Sequence, residues 1–208
     1  MSELPYQLEN YSKQILPKLH GWCEQEKAER MMRRILKVKP KVVVEIGVFA
    51  GRSLFAMGLA VKENGVGQVI GIEPWSIAPC QQGLDSDDPN HKWWSSLDHQ
   101  AIERSYRKTE SELGLGDTIR IINAPSDKAR GALGDIEIDF LHIDGNHSED
   151  VSCYDVENYL PLVRTGGEIW FDDVNWDSTR KAQEMLKSQC DEVYRSETYG
   201  IFKKRKAE

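Results

Sequence analysis

Three acidic residues at the ends of two short apolar runs carry the clearest chemistry in this chain. Asp139-Phe-Leu-His-Ile-Asp-Gly-Asn-His147 has the pattern of a strand running into a polar tip, and Glu168-Ile-Trp-Phe-Asp-Asp-Val174 repeats it. In a parallel sheet both tips project from the carboxyl edge, so Asp144, Asp172 and Asp173 can converge there. Three carboxylates in a partly buried cleft repel one another strongly. A divalent cation relieves that repulsion, and hard oxygen ligands favour magnesium, calcium or manganese over zinc. The plainer alternative is that Asp173 caps the following loop and Asp144 accepts turn hydrogen bonds. His142 sits inside its strand and reads as a core histidine with satisfied partners, while His20, His91 and His99 have no partner pattern.

A second constellation lies in Lys41-Val-Val-Val-Glu-Ile-Gly-Val-Phe-Ala-Gly-Arg-Ser53. Its β-branched run suits a buried strand, Gly47 and Gly51 bracket a tight turn, and a helical pattern starts at Ser53. Such a turn sets backbone N–H groups beside a helix N-terminus, a site for a negative group. Glu45 adds a carboxylate, and N–H donors plus a carboxylate fit a zwitterion better than a pyrophosphate. The spacing G-x-x-x-G departs from the dinucleotide fingerprint. The next strand, Gln68-Val-Ile-Gly-Ile-Glu73, ends in an acid able to accept hydrogen bonds from both hydroxyls of an adenosine ribose. Together, Glu45-x-Gly-x-x-x-Gly51 and Glu73 resemble motifs one and two of class I S-adenosylmethionine-dependent methyltransferases.

Asp172 follows Asp144 by 28 positions, a spacing similar to that of catechol-type, metal-dependent O-methyltransferases. In that family an acid and an Asp-Asn pair hold magnesium. Here the pair is Asp-Asp, which resembles the metal-dependent sugar O-methyltransferases of macrolide pathways. The resemblance implies that Ser53 reaches the methionine carboxylate, that Ser126 in Ala124-Pro-Ser-Asp127 lies beside adenine, and that Asp144 serves both cofactor and metal. His147 takes the place of the family's catalytic lysine. A neutral imidazole there could accept the proton of a metal-bound hydroxyl; the alternative is a helix-start histidine bonded to a carbonyl. The implied function is methyl transfer to a hydroxyl of a small molecule, a sugar or natural-product intermediate rather than a catechol. Two rivals stand beside it: a metal-independent methyltransferase, and a non-catalytic protein that binds S-adenosylmethionine.

The elements that must position these residues alternate. Strands are expected at Val42–Ile46, Val69–Ile72, Thr118–Ile122, Asp139–Ile143 and Glu168–Phe171, with helices Arg52–Lys62, Asp98–Leu113, Glu149–Leu160 and Thr179–Gln189 between them. Ser148 and Ser178 are the expected N-caps of the last two. Glu192–Arg195 and Ile201–Lys203 flank Tyr199-Gly200 as a terminal hairpin. The pattern predicts an α/β, Rossmann-like doubly wound sheet of about seven strands, mostly parallel with an antiparallel C-terminal strand. One methyltransferase domain is expected over residues 1–208, with an N-terminal helical segment in 1–40 that includes Glu24–Val38. Trp75–Leu97 breaks the rhythm and reads either as a surface excursion or as a substrate lid.

Composition narrows the partners. A net charge of −7 over 208 residues does not attract a phosphate backbone, so no nucleic-acid substrate is expected. The basic Lys203–Lys206 run reads as a solvated end. No apolar run reaches membrane-spanning length and Met1–Asn10 lacks a signal-peptide core. Cys23, Cys80, Cys153 and Cys190 form no C-x-x-C pair, so a reduced, cytoplasmic setting is expected. The partner expected is a small hydroxylated acceptor, and homo-oligomerisation is open.

Overall fold

The computed structural model describes residues 3–206; the two positions at each end of the expected 1–208 span lie outside the described residues. Seven strands form one sheet: β1 (Val42–Ile46), β2 (Gln68–Ile72), β3 (Ile119–Ile122), β4 (Ile138–Ile143), β5 (Val163–Asp172), β6 (Cys190–Arg195) and β7 (Tyr199–Lys204), in the order β3-β2-β1-β4-β5-β7-β6. β1 to β5 pair in parallel, and β7 runs antiparallel between β5 and β6. This is the Rossmann-like sheet with an antiparallel C-terminal hairpin that the alternating pattern predicts. The central strands are buried on both faces, which is why Val42–Val44 and Val69–Ile70 read as unbroken apolar runs.

The helices are α1 (Tyr6–Asn10), α2 (Gln25–Val38), α3 (Arg52–Asn64), α4 (Ile77–Gln81), α5 (Pro89–Ser95), α6 (His99–Glu112), α7 (Ser126–Leu133), α8 (Glu149–Tyr159) and α9 (Arg180–Gln189). One face of the sheet buries Met31 and Met32 of α2, Leu54 and Phe55 of α3 and Tyr106 of α6. The other buries Ala129 of α7, Val156 of α8 and Leu186 of α9. Each large side chain so covered contributes roughly 1.5–3 kcal/mol of transfer free energy. The buried stripe of α2 comprises Lys27, Ala28, Met31, Met32 and Ile35, a three-and-four spacing that includes a charge. Among the described residues, no helix is long and apolar enough to cross a membrane.

Four details differ from the sequence pattern. β5 starts at Val163, five residues before the apolar run, because Ile138 pairs with Val163 ahead of a bulge. Tyr199 and Gly200 lie inside β7 rather than in the hairpin turn; Tyr199 stacks on Trp170 at 5.5 Å and pairs with Asp172. The turn is made by Ser196, whose Oγ accepts from the backbone N–H of Tyr199 at 2.9 Å. Ser178 falls in a short 3₁₀ turn, leaving Thr179 to precede α9, and Ser148 precedes α8 without a hydroxyl cap bond. The segment without visible period contains α4 and α5, the latter capped by Asp88 Oδ1 accepting from Asn90 N–H at 2.7 Å.

Candidate active site at the carboxyl edge of the sheet

After β3 the chain returns across the sheet to place β4 on the other side of β1. At such a reversal the strand ends part and leave a crevice. Here it opens into a cavity of about 1390 Å³ lined by Gly47, Ser53, Glu73, Ser126, Asp144, His147, Asp172 and Asp173, all expected from sequence. Gly47 has φ +87°, and a Cβ on it would lie 1.9 Å from the Asp144 carbonyl oxygen. Only a residue without a side chain lets the ends of β1 and β4 approach this closely. Gly51, at φ +90°, is the N-cap of α3.

The turn's own N–H groups are largely committed. Glu73 Oε2 accepts from Val48 N–H at 3.1 Å and Phe49 N–H at 2.8 Å, and its Oε1 from Trp75 N–H at 2.9 Å. Gly47 and Gly51 donate to the carbonyls of Ile72 and Val48. The donors without intrahelical acceptors are those of the first turn of α3, where Ser53 is buried. Burial lifts the pKa of Glu73 above the usual carboxylate value, against the pull of its three N–H donors. A carboxylate offers about four lone-pair sites, so Glu73 braces the turn and keeps capacity for a ligand hydroxyl.

Glu45 and His142 are register partners on β1 and β4. Their side chains share a face, and His142 Nδ1 lies 2.6 Å from Glu45 Oε1. Glu45 is fully buried behind the crevice, with Oε2 lacking a partner. His142 Nε2 lies 3.3 Å from Asp172 Oδ1. The core histidine expected from sequence is thus the hinge of an acidic network. Into this network projects Lys27 of α2, only 6% exposed, which forms an ion pair with Asp172 and stands 4.0 Å from Asp144 Oδ2. Burial opposes the Lys27 charge, but Asp172 and Asp144 outweigh it and raise the ammonium pKa. Asp172 is lowered well below the usual carboxylate range, burial being overcome by Lys27 and His142. Burial and the Asp172 charge push Asp144 up. Burial and Lys27 oppose protonation of His142, and Asp172 and Glu45 still hold it at about 9.

Asp173 departs from its neighbour. Its φ is +54°, and its carboxylate meets His147, with Nε2 and Oδ2 2.8 Å apart. Burial disfavours the His147 cation, but the Asp173 hydrogen bond prevails and raises its pKa. The three acids expected to converge are therefore divided around Asp144. Ligand atoms of Asp144, His142 and Asp172 lie within 4.8 Å of one another, as do those of Asp144, His147 and Asp173. The first group already holds the Lys27 ammonium. The second, two carboxylates and an imidazole, has the chemistry of a divalent-cation site.

Several residues of the site carry no motif. Lys27 shares a helical stripe with Met31 and Ile35, the signal by which its burial was legible. Asn146 Nδ2 donates to the carbonyls of Pro79 at 2.9 Å, Cys80 at 3.2 Å and Gln82 at 3.0 Å, tying the segment after β2 to the site. Asp155, 1% exposed through its position on α8, lines the cavity beside Ser126 and is pushed up to about 7 by burial. Trp22, Phe49, Trp93 and Trp94 form an aromatic cluster in the cavity lining, with centroids 4.9 Å apart for Trp22–Trp93 and 5.6 Å for Trp22–Phe49.

A family model described as "Methyltransferase domain" matches residues 44–174, from β1 to just beyond β5. Tapetum-specific methyltransferase 1 of Arabidopsis thaliana is 29% identical over 142 residues, which is 68% of this chain and 50% of that protein. The chain thus spans about half the length of that curated relative. Among solved structures, a SAH-bound methyltransferase of Podospora anserina superposes with a TM-score of 0.67 at 15% identity, covering 98% of this chain and 89% of that one. The O-methyltransferase TomG of Streptomyces achromogenes, involved in tomaymycin synthesis and bound to SAM, gives 0.60 at 15% identity, covering 98% and 90%. These structures share the fold of S-adenosylmethionine-dependent methyltransferases. By the span of the family match, laid over a site at the topological switch of that fold, the chain belongs to the methyltransferase-domain family.

Proposed function

We propose that this protein is an S-adenosylmethionine-dependent O-methyltransferase acting on a hydroxyl of a small molecule, a sugar or natural-product intermediate. The observation that carries the reading is the His147–Asp173 pair, which faces the same cavity as Gly47, Ser53, Glu73 and Ser126. With Nε2–H donated to Asp173, the other ring nitrogen of His147 is left unprotonated to take a hydroxyl proton. Glu73 accepts the ribose hydroxyls, Ser126 lies at the adenine end, and Ser53 with the start of α3 receives the methionine carboxylate. Asp144 faces the amino group. When bound, S-adenosylmethionine would supply the methyl group, and His147 would take the proton of the acceptor hydroxyl.

Asp144 and Asp173 fit a hard divalent cation such as Mg²⁺, Mn²⁺ or Ca²⁺, and Asp172 joins them only if Lys27 releases it. When bound, such an ion lowers the pKa of an acceptor hydroxyl. Lys27 favours a second reading, the same transfer without a metal, in which the ammonium supplies the positive charge beside Asp144 and Asp172.

Calorimetry with S-adenosylhomocysteine, followed by transfer of labelled methyl to a hydroxylated extract with and without chelator, tests both. Cofactor binding with transfer restored by Mg²⁺ or Mn²⁺ supports the first reading, and full transfer in chelator the second. Binding without transfer to any acceptor would reduce the protein to a cofactor binder.

A further inference from the structure

The charge and lining of the cavity restrict its acceptor further than the transfer chemistry does. Twelve Asp and Glu residues line it against Lys27 and Arg52; among the acids, Glu26 is paired with Arg30, Asp127 with Lys128, Glu149 with Lys181, Asp172 with Lys27 and Asp173 with His147. Lys27 and Arg52 are both already engaged with the protein. Lys27 is paired with Asp172. Arg52 Nη1 donates to the carbonyls of Gly21 at 2.6 Å and Leu19 at 3.3 Å, fastening the loop that carries Trp22. On the mouth side, Glu24 and Glu197 are exposed and form no ion pair among the described residues. The hydroxyl of Ser148, a residue 5% exposed in the same wall beside His147, has no hydrogen-bond partner among the described residues.

The aromatic wall points the same way. Trp22 is 64% exposed; Trp93 of α5 meets it and Phe49, and Trp94 meets Phe49 and Trp93. Among the described residues, the lysines and arginines that lie over a ring do so on Tyr194, Tyr199, Trp75 or Tyr106, none on the rings of this wall, where His20 packs beside Phe49 at 5.0 Å. Aromatic faces are negative at their centres and attract a cation most strongly where water is partly excluded. Phe49 is held at φ +49°, its N–H bonded to Glu73 and its carbonyl accepting from Trp75 Nε1 at 2.8 Å. Such a backbone persists only where its surroundings over-determine it, so the wall is built before a ligand arrives.

Resting on the methyltransferase reading, we infer that the acceptor is a hydroxylated ring bearing a protonated amine. The ring lies on Trp22, Phe49 and Trp93, with the ammonium toward Glu24 and the acidic rim. Carboxylated, phosphorylated or nucleotide-linked acceptors are disfavoured by the same field, since the lysine and the arginine of the lining are already engaged with the protein.

The test uses matched probes on the full chain saturated with S-adenosylhomocysteine, with binding read from quenching of tryptophan fluorescence. Tyramine and 4-hydroxyphenylacetate share a phenol and differ in charge, as glucosamine and glucuronate do on a sugar ring. The amine of one pair should bind about tenfold or more tighter than its acid, with the gap narrowing in high salt. Whichever pair binds identifies the ring type. Trp93→Ala should weaken both members of that pair, and Glu24→Gln the amine alone, about threefold to tenfold. Equal or tighter binding of the acids overturns the inference, as does the absence of binding by all four probes at millimolar concentration. A protein that binds no S-adenosylhomocysteine would fail the methyltransferase reading instead, and the pairs would then be measured on the protein alone.

Discussion

Replacing Lys27 with methionine keeps the length of the side chain and removes the one ammonium in the acidic network. In the wild type that ammonium is 6% exposed and paired with Asp172, with Asp144 at 4.0 Å. Breaking a buried pair by deleting one partner costs about 3–5 kcal/mol, because the survivor is left charged and desolvated. Asp172 and Asp144 are 16% and 27% exposed on the cavity side, so water reaches them. The expected loss is therefore at the lower end, about 3 kcal/mol. For a chain of this size that lowers Tm by about 6–12 °C. The carboxylates released by the substitution are also better ligands, so Mn²⁺ should bind the variant more tightly than the wild type. At a hundred times its Kd the ion returns about 2.7 kcal/mol, nearly the whole deficit. Scanning calorimetry of both proteins in chelator and in graded MnCl₂ reads both effects, and circular dichroism checks the fold. A Lys27→Met protein within about 1 °C of wild type in chelator would show that the network does not depend on the lysine. Equal Mn²⁺ shifts in both proteins would show that Lys27 and the ion do not compete.

Three further outcomes follow from the site. His142, raised from 6.5 to about 9 in the folded state, contributes stability fully below pH 6.5 that is lost as pH rises to about 9, and Asp144, also raised, acts in the same sense; denaturation midpoints across that range should fall, and a flat profile would remove the charged-histidine account. Gly47→Ala forces a Cβ to within 1.9 Å of the Asp144 carbonyl, so calorimetry should find cofactor binding abolished and the fold destabilised, whereas wild-type affinity would mean that β1 and β4 do not need that approach. His147→Ala should lower kcat by about 10²–10⁴-fold with little change in cofactor Kd. In the wild type the rate should rise with pH through a value above 6.5, since Asp173 raises the imidazole; a variant that keeps that acid limb and most of its rate would make His147 structural.

What could be read from sequence depended on the range of the forces involved. The strand runs, the glycine turn and the acids at strand ends were legible because each expresses a local rule: two-sided burial, positive φ, or a polar residue at a sheet edge. Helix α7 was not, since Ser126-Asp-Lys-Ala-Arg-Gly-Ala-Leu133 buries only Ala129 and Leu133 and its polarity masks the period. The hairpin turn was misplaced because Tyr199 is drawn into β7 by stacking on Trp170, a tertiary contact that outweighs the turn preference of Tyr-Gly. The separation of Asp173 from Asp172 depends on one backbone dihedral, which no spacing encodes. Lys27 lay on a visible stripe, yet its partner Asp172 is far away in the chain, and the pairing needs the whole sheet.

That distance has a consequence for how the chain is made. Lys27 and Asp172 are 145 residues apart, so at about 5–20 residues per second Lys27 leaves the ribosome roughly 7–30 s before its counter-ion does. Throughout that interval α2 carries an ammonium on the same face as Met31 and Ile35. It can settle on α3 through the methionines, but it cannot bury the charge without a carboxylate to receive it. Docking of α2 over the crevice is thereby timed to the completion of β5. A nascent chain arrested short of β5 would hold four parallel strands and an unlatched α2, and the last strand of the parallel sheet is the one that closes the site.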